Sequence, residues 1–242
     1  MTIYILKPDE KFTSLNRMTA SLGFTALGEE VIDFDESQFD RPPLGSDDIV
    51  VGGIGFARRA FDRLDIVVPD LDPIPLELQA FAGRKLWRST MKELRRAVSA
   101  GEAIFAKPRP DQPKLFTGKV MSAVRDLIAT AHLDDELEID CAEPVDFQSE
   151  YRTFVLHGEV LGLRHYAGDP LLFPSAETIR SAISAFRRSP VAYTLDIGIT
   201  SDGRSLLVEI NDAYACGAYG LTPLRYAKFI AARWDELRSA SL

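Results

Sequence analysis

Cysteine is nearly absent: Cys141 and Cys216 are the only two in 242 residues. That is too few for a disulfide framework, and neither sits in a CxxC or Cys/His metal spacing, so reduced thiols and no zinc site are expected. Histidine is almost as scarce, at three, and no serine or cysteine has a recognisable partner set for nucleophilic catalysis. Basic charge is in deficit, with 28 Lys and Arg against 36 Asp and Glu, a formal charge of −8 spread along the whole chain. A general nucleic-acid or acidic-membrane surface needs a basic field and is not expected, although a small basic pocket for one polyanion remains compatible. Long hydrophobic runs are missing too. The opening MTIYILKPDE carries acid within ten residues and no extended apolar core, so neither a signal peptide nor a membrane span is expected there, and the localisation expected is cytoplasmic.

What is present looks globular: 46% apolar and 26% charged residues, with length for one large or two compact domains. TIYIL, a helical stretch through Leu15, Met18 and Leu22 closed by Gly23, the VIDF run and DDIVVGGIGF predict a small α/β unit up to about Pro75. VVGGIGFARR reads as a strand and tight turn; a dinucleotide fingerprint would want Gly or Ala where Arg58 stands. VPDLDPIPLE, with three prolines, reads as a linker. Thr90 and Glu93 predict a capping box for a helix that turns Met91, Leu94 and Val98 inward and stops near Gly101. AIFAK follows as a strand, then the loop PRPDQPKLFTGK, a helix around VMSAVRDLIATA, and an extended ELEIDCAEPVDF.

The remainder repeats hairpin, helix, hairpin, helix. SEYRTFVLHGEVLGLRHY turns at His157-Gly158, and Ser175 opens a helix with Ile179, Ile183 and Phe186 on one face. VAYTLDIGITSDGRSLLVEIND turns at Asp202-Gly203; Thr222 then caps a last helix with Pro223 first and Ala227, Ile230, Trp234 and Leu237 as its packing stripe.

The second hairpin carries the chemistry. A loop with an even number of residues, centred on Asp202-Gly203, sets Ser201 opposite Arg204 and Asp196 opposite Glu209, and Asn211 shares Glu209's face. Two carboxylates about 5 Å apart at an effective dielectric near 20 repel by about 3 kcal/mol. Magnesium suits the need for counter-charge, being oxygen-seeking and content with one or two carboxylates plus phosphates. The other reading is a partly solvated sheet end with one carboxyl protonated or paired to arginine. Cations lie elsewhere in the chain. Lys107 ends AIFAK before Pro108, and Arg109, Lys114, Thr117, Gly118 and Lys119 follow; FTGK with a helix behind it would offer backbone N–H groups and a lysine to an anion.

In this order, IFAKPRPDQPKLFTG, EPVDFQSEYRTFV, YTLDIGI and LLVEINDAYACGAYGL, the chain resembles the ATP-grasp superfamily from roughly Gly83 to its end, and in particular one of its small subgroups. The resemblance implies an ATP-grasp fold of mixed α+β and α/β class. Two α+β lobes, about 81–142 and 143–242, would hold ATP between them, preceded by a small α/β unit over 1–80. It implies ATP and Mg2+ as cofactors, with Asp196, Glu209 and Asn211 as metal ligands. It also assigns Lys107 to the α- and β-phosphates, the Glu143-Pro144-Val145 backbone to the adenine edge and Glu150 to the ribose. Lys114 and Lys119, in the basic loop, are expected at the nucleotide, the other reading being a basic surface loop. Arg152, which shares a strand face with Glu150, and Arg164 on the returning strand would contact the γ-phosphate or a carboxylate substrate, the other reading being surface or structural ion pairs; Lys107, Arg152 and Arg164 form the expected catalytic set. One basic residue among Arg84, Lys85 and Arg88 is expected at phosphate, and the sequence does not pick one. The glycine-rich loop of larger ATP-grasp enzymes is replaced by PRPDQPKLFTG, so closure over ATP would depend on lysine and arginine.

The function expected is therefore an ATP-dependent ligase joining a carboxylate to an amine through an acyl phosphate. Such a reaction needs positioning and charge rather than a side-chain nucleophile. Its partners would be small-molecule or peptide acids and amines, not nucleic acid or membrane, and a homodimer is compatible with it. The alternatives are a small-molecule kinase and a nucleotide-binding module without turnover.

Overall fold

Alternating burial along Thr2–Leu6 makes β1 the central strand of a small parallel sheet, with β2 (Glu30–Phe34) on one side and β3 (Ile49–Val51) on the other. The computed structural model describes residues 1–7, 14–35, 37, 44–109, 112 and 115–241. Among them this sheet is joined by two four-stranded antiparallel sheets. No helix among the described residues is long and apolar enough to cross a membrane.

Helix α1 (Ser14–Ala26) forms where a helix was expected, but with the opposite face inward. Leu15, Met18 and Leu22 are exposed, while Thr19, Ala20, Gly23 and Phe24 are buried. Close approach decides the face. A Cβ on Gly23 would stand 2.1 Å from the Pro223 carbonyl oxygen, so only glycine lets α1 seat on the last helix. Gly23 therefore lies inside the helix rather than closing it. Beyond β3 the IGFARR stretch belongs to α2 (Ile54–Arg63), with Gly53 as its extended N-cap, where a strand and tight turn were expected.

The proline-rich segment runs into a 3-10 turn (Leu76–Leu78), which is followed by one short helix, α3 (Gln79–Ala82). LWRST then forms a strand the sequence did not advertise, β4 (Leu86–Thr90), which runs into α4 (Met91–Ser99) through the expected capping box. The Glu93 amide donates to Thr90 Oγ1 and the Thr90 amide to Glu93 Oε2, both at 3.3 Å. Met91, Leu94 and Val98 are buried against the sheet β4-β7-β5-β6, formed with β5 (Ile104–Pro108), β6 (Lys119–Met121) and β7 (Glu138–Ala142). FTGK leads into strand β6, and only a 3-10 stretch follows at Val124–Thr130. The helix N-terminus expected behind it is not there.

Hairpin β8 (Phe147–Leu156) and β9 (Glu159–Gly168) turns at His157-Gly158, as predicted, and both residues have positive φ. Ser175 caps α5 (Ala176–Ala185), which buries Ile179 and Ala182 against one face of the sheet β11-β10-β8-β9. The second hairpin joins β10 (Ala192–Thr200) to β11 (Ser205–Asp212). α6 (Pro223–Ala240) buries its predicted stripe in a core shared with α1, α2 and β1, although Thr222 makes no side-chain capping bond.

Candidate active site

Four charged side chains stand in register across the sheet β11-β10-β8-β9. Glu209 faces Asp196, Asp196 faces Arg152, and Arg152 faces Arg164, so the row runs acid, acid, base, base. The pairing of Asp196 with Glu209 is the expected one, but it is reached differently. The turn is a three-residue loop, Ser201 to Gly203, closed by the Thr200 amide on the Arg204 carbonyl at 3.0 Å. Ile197 accordingly faces Leu207, and a β-bulge at Val208 shifts the strand by one residue to bring Glu209 opposite Asp196.

Asp196 is 1% exposed. Arg152 meets it with both arms of its fork, Nε to Oδ1 at 2.8 Å and Nη2 to Oδ2 at 2.6 Å. Burial pushes the Asp196 carboxyl up to about 6, against the pull of Arg152 and with further push from Glu209 and Glu150. For Arg152, burial opposes the charge but the bonds to Asp196 outweigh it, raising its pKa. At neutral pH both partners are charged. Asn211 lies beside them, with Nδ2 3.5 Å from Asp196 Oδ2. Lys107, from β5 across the cleft, places Nζ 3.1 Å from Glu209 Oε2. The counter-charge anticipated at the carboxylate pair is thus supplied in this structure by Arg152 and Lys107. Among the described residues, no group of three or more His, Cys, Asp or Glu is arranged to hold a metal ion. Asp212, next along β11, is taken by the buried Arg233 through bonds of 2.8 and 2.6 Å.

Aromatic rings hold Arg152. Its guanidinium carbon lies 4.5 Å from the Tyr219 ring centre and 5.8 Å from that of Tyr166, and the Tyr166 hydroxyl donates to Glu150 Oε2 at 2.7 Å. Burial first, then Asp196 and Glu150, raise the Tyr166 pKa and keep the phenol protonated. Nothing in the pattern around Tyr166 or Tyr219 pointed to this role. Arg164 is turned elsewhere: its Nε donates to the Gly220 carbonyl at 2.9 Å and braces the loop after β11. Burial pushes both thiols, Cys141 and Cys216, up to about 12, which leaves them protonated and inert.

A cleft of 860 Å³ opens between the two antiparallel sheets, and Lys107, Arg88, Glu143, Val145, Glu150 and Glu209 line it. Lys119 is not brought there; on β6 its neighbour Val120, opposite Phe105, faces the cleft. Lys114 lies outside the described residues. Glu143 is locked to the start of β4: its amide donates to the Lys85 carbonyl at 3.0 Å and its Oε2 accepts from the Lys85 amide at 2.9 Å. Of the three basic candidates, Lys85 stacks on Trp87, while Arg84 and Arg88 both line the cleft, Arg84 with its guanidinium bound to backbone carbonyls. A second cavity, of 820 Å³, runs between α2 and the end of β11; it is lined by Arg58, Asp62, Asn211 and Tyr214 and shares Asp70, Leu71 and Pro73 with the first.

Phe147 forms part of the cleft wall, and its ring lies where a side chain on Gly198 would go. A Cβ there would stand 2.1 Å from Phe147 Cδ1. Gly198→Ala is expected to cost about 1–3 kcal/mol in a urea melt as the ring is displaced. Unchanged stability would show that the ring yields freely.

Two antiparallel sheets facing each other over a cleft, with a lysine from one reaching an acid on the other, are the arrangement expected of an ATP-grasp protein. Within that class, residues 81–229 match the ATP-grasp domain, R-2-K clade family 2, and the chain belongs to that family. No curated protein matches it in sequence. Among solved structures it is similar to D-alanine–D-alanine ligase from Bacillus anthracis, at 12% identity over 99% of each chain with a TM-score of 0.57. It is also similar to D-cycloserine synthetase DcsG, at 12% identity over 97% of this chain and 100% of that one, TM-score 0.58. The ATP-grasp ligase PsnB with a minimal precursor gives 13% identity over 100% and 99%, TM-score 0.54. At such identities the likeness is one of fold.

Proposed function

We propose that the protein is an ATP- and magnesium-dependent ligase that joins a carboxylate to an amine through an acyl phosphate. The observation that carries this is the row Glu209, Asp196, Arg152, met by Lys107 from the facing lobe, in a chain of the ATP-grasp family. The neighbours support it by their own activities: two are named as ligases and one as a synthetase, and the Bacillus anthracis ligase has been solved with ATP.

Asp196, Glu209 and the Asn211 amide are hard oxygen donors that fit magnesium, which would supply charge neutralisation at the phosphates. The Glu143–Val145 backbone would read the adenine edge and Glu150 the ribose, within a cleft whose 860 Å³ suits a nucleotide. Lys107 and Arg152 would hold phosphate oxygens in line for attack. A substrate carboxylate oxygen would attack the γ-phosphorus, the bond to the β–γ bridging oxygen would break, and ADP would leave. The amine nitrogen would then add to the acyl carbon, expel phosphate and lose its proton to solvent. The second cavity, which shares Asp70, Leu71 and Pro73 with the first, offers room for these reactants.

One observation favours a different reading. Asp196 and Glu209 already have Arg152 and Lys107 as counter-ions, which is what a nucleotide-binding module without metal would need. ADP release separates the readings. Release that requires both an acid and an amine supports ligation, phosphorylated acid accumulating alone supports a kinase, and ATP binding with no ADP across a substrate panel supports the module.

A further inference from the structure

The edge strand β11 reaches the cleft in the right register only because Val208 is looped out of its pairing with β10. Were the register of Ile197 with Leu207 simply continued, Val208 would face Asp196. Glu209 would fall opposite Leu195 and turn toward the apolar core, because a shift of one residue reverses every side chain along a strand. The bulge therefore decides whether a carboxylate stands beside Asp196 at all.

That bulge is gripped from the segment between α3 and β4, which packs directly on β11. Arg84, just past α3, donates from Nη1 to the Leu207 carbonyl at 2.7 Å and from Nη2 to the Val208 carbonyl at 3.0 Å. Nη1 is anchored in turn on the Ala82 carbonyl at 3.0 Å. In a regular strand successive carbonyls point to opposite sides, so one guanidinium catches two in succession only where the strand is bulged. The planar fork of arginine suits that pair of acceptors; an ammonium, a point charge, lacks the fixed span. Burial lowers the Arg84 pKa, and Glu209 nearby opposes the shift. Arg84 lines the cleft, but with Nη1 and Nη2 committed to backbone carbonyls its fork is turned to the strand rather than offered to a phosphate.

We infer that Arg84 is a positioning residue: by clamping the Leu207 and Val208 carbonyls it fixes the bulge that presents Glu209 to the cleft. The inference rests on the proposed role of Glu209 in the metal and phosphate site. Mn2+ serves as the probe, its affinity measured by electron paramagnetic resonance in the complex with a non-hydrolysable ATP analogue, for full-length wild type, Arg84→Lys, Arg84→Gln, Glu209→Gln and the Arg84→Lys/Glu209→Gln pair. Amide exchange at residues 206–210 is followed in the nucleotide-free protein. Arg84→Lys should weaken Mn2+ by roughly tenfold or more, leave metal-free nucleotide affinity within about twofold, and speed exchange at 206–210 but not in β9. Arg84→Gln should do more of the same. On the Glu209→Gln background Arg84→Lys should cause no further loss of Mn2+ affinity.

Undiminished Mn2+ affinity in Arg84→Lys, where Glu209→Gln loses it, would overturn the inference. So would a full additional loss in the double variant, or exchange at 206–210 that stays as slow as in wild type. If Glu209→Gln itself keeps Mn2+ affinity while exchange at 206–210 rises in Arg84→Lys, the clamp stands and the metal reading of Glu209 falls.

Discussion

Glu209→Gln is expected to reduce ATP turnover by at least about 10²–10³-fold, the loss typical when one preorganised charge at a phosphoryl or oxyanion centre is removed. The substitution keeps the shape of the side chain and deletes its charge, so it strips the site of an anionic ligand without opening a cavity. Its stability cost should be small. The Lys107–Glu209 pair spans the cleft mouth with both side chains partly exposed, at 21% and 34%, and such pairs contribute at most about 1 kcal/mol. Lys107, relieved of its partner, should bind nucleotide in the absence of divalent metal at least as well as before. A turnover assay beside a thermal melt checks this, and full activity in a folded Glu209→Gln protein would defeat the assignment of the site.

Arg152→Met should show the opposite balance, with the largest effect on stability. Asp196 has 2% and Arg152 11% of its side chain exposed, and their bidentate bond is the main compensation for a charge withdrawn from water. Removing one member of a buried pair leaves the other uncompensated, at a cost of about 3–5 kcal/mol. Urea denaturation at neutral pH should record that loss, and the double variant Arg152→Met/Asp196→Leu should recover most of it, because an apolar pair of similar volume can replace a buried ion pair. A loss below about 1 kcal/mol for the single variant would mean that water reaches Asp196, and the electrostatic account of the site would need revision.

How far this was legible in the sequence depends on whether the information is local. The Thr90/Glu93 capping box, the two hairpins and the α6 stripe follow from spacing, and all are present. The pairing of Asp196 with Glu209 is present as well, but the even loop that predicted it is not: a three-residue loop and the Val208 bulge together restore it. The buried face of α1 was not legible, since Gly23 and Ala20 win it through close contact with α6 while the larger Leu15, Met18 and Leu22 remain outside. LWRST and the residues after FTGK became strands because β7 and β5 offer them edges, a tertiary choice with no local mark. Arg152 was singled out, yet its bond to Asp196 depends on β8 lying beside β10, across two intervening elements of the chain. The Val208 bulge and the Arg84 clamp were least visible of all. Their hydrogen bonds end on backbone carbonyls, which every residue type carries alike.

The central claim is that Asp196, Glu209 and Asn211 gather a divalent cation beneath a triphosphate. Crystals grown with Mn2+ and a non-hydrolysable ATP analogue, measured for anomalous scattering, test it most directly. The account predicts a manganese peak roughly 2.1–2.2 Å from oxygens of all three side chains, with the phosphates completing its coordination. Nucleotide seated in the cleft with Asp196 still bound to Arg152, and manganese elsewhere or missing, would contradict it.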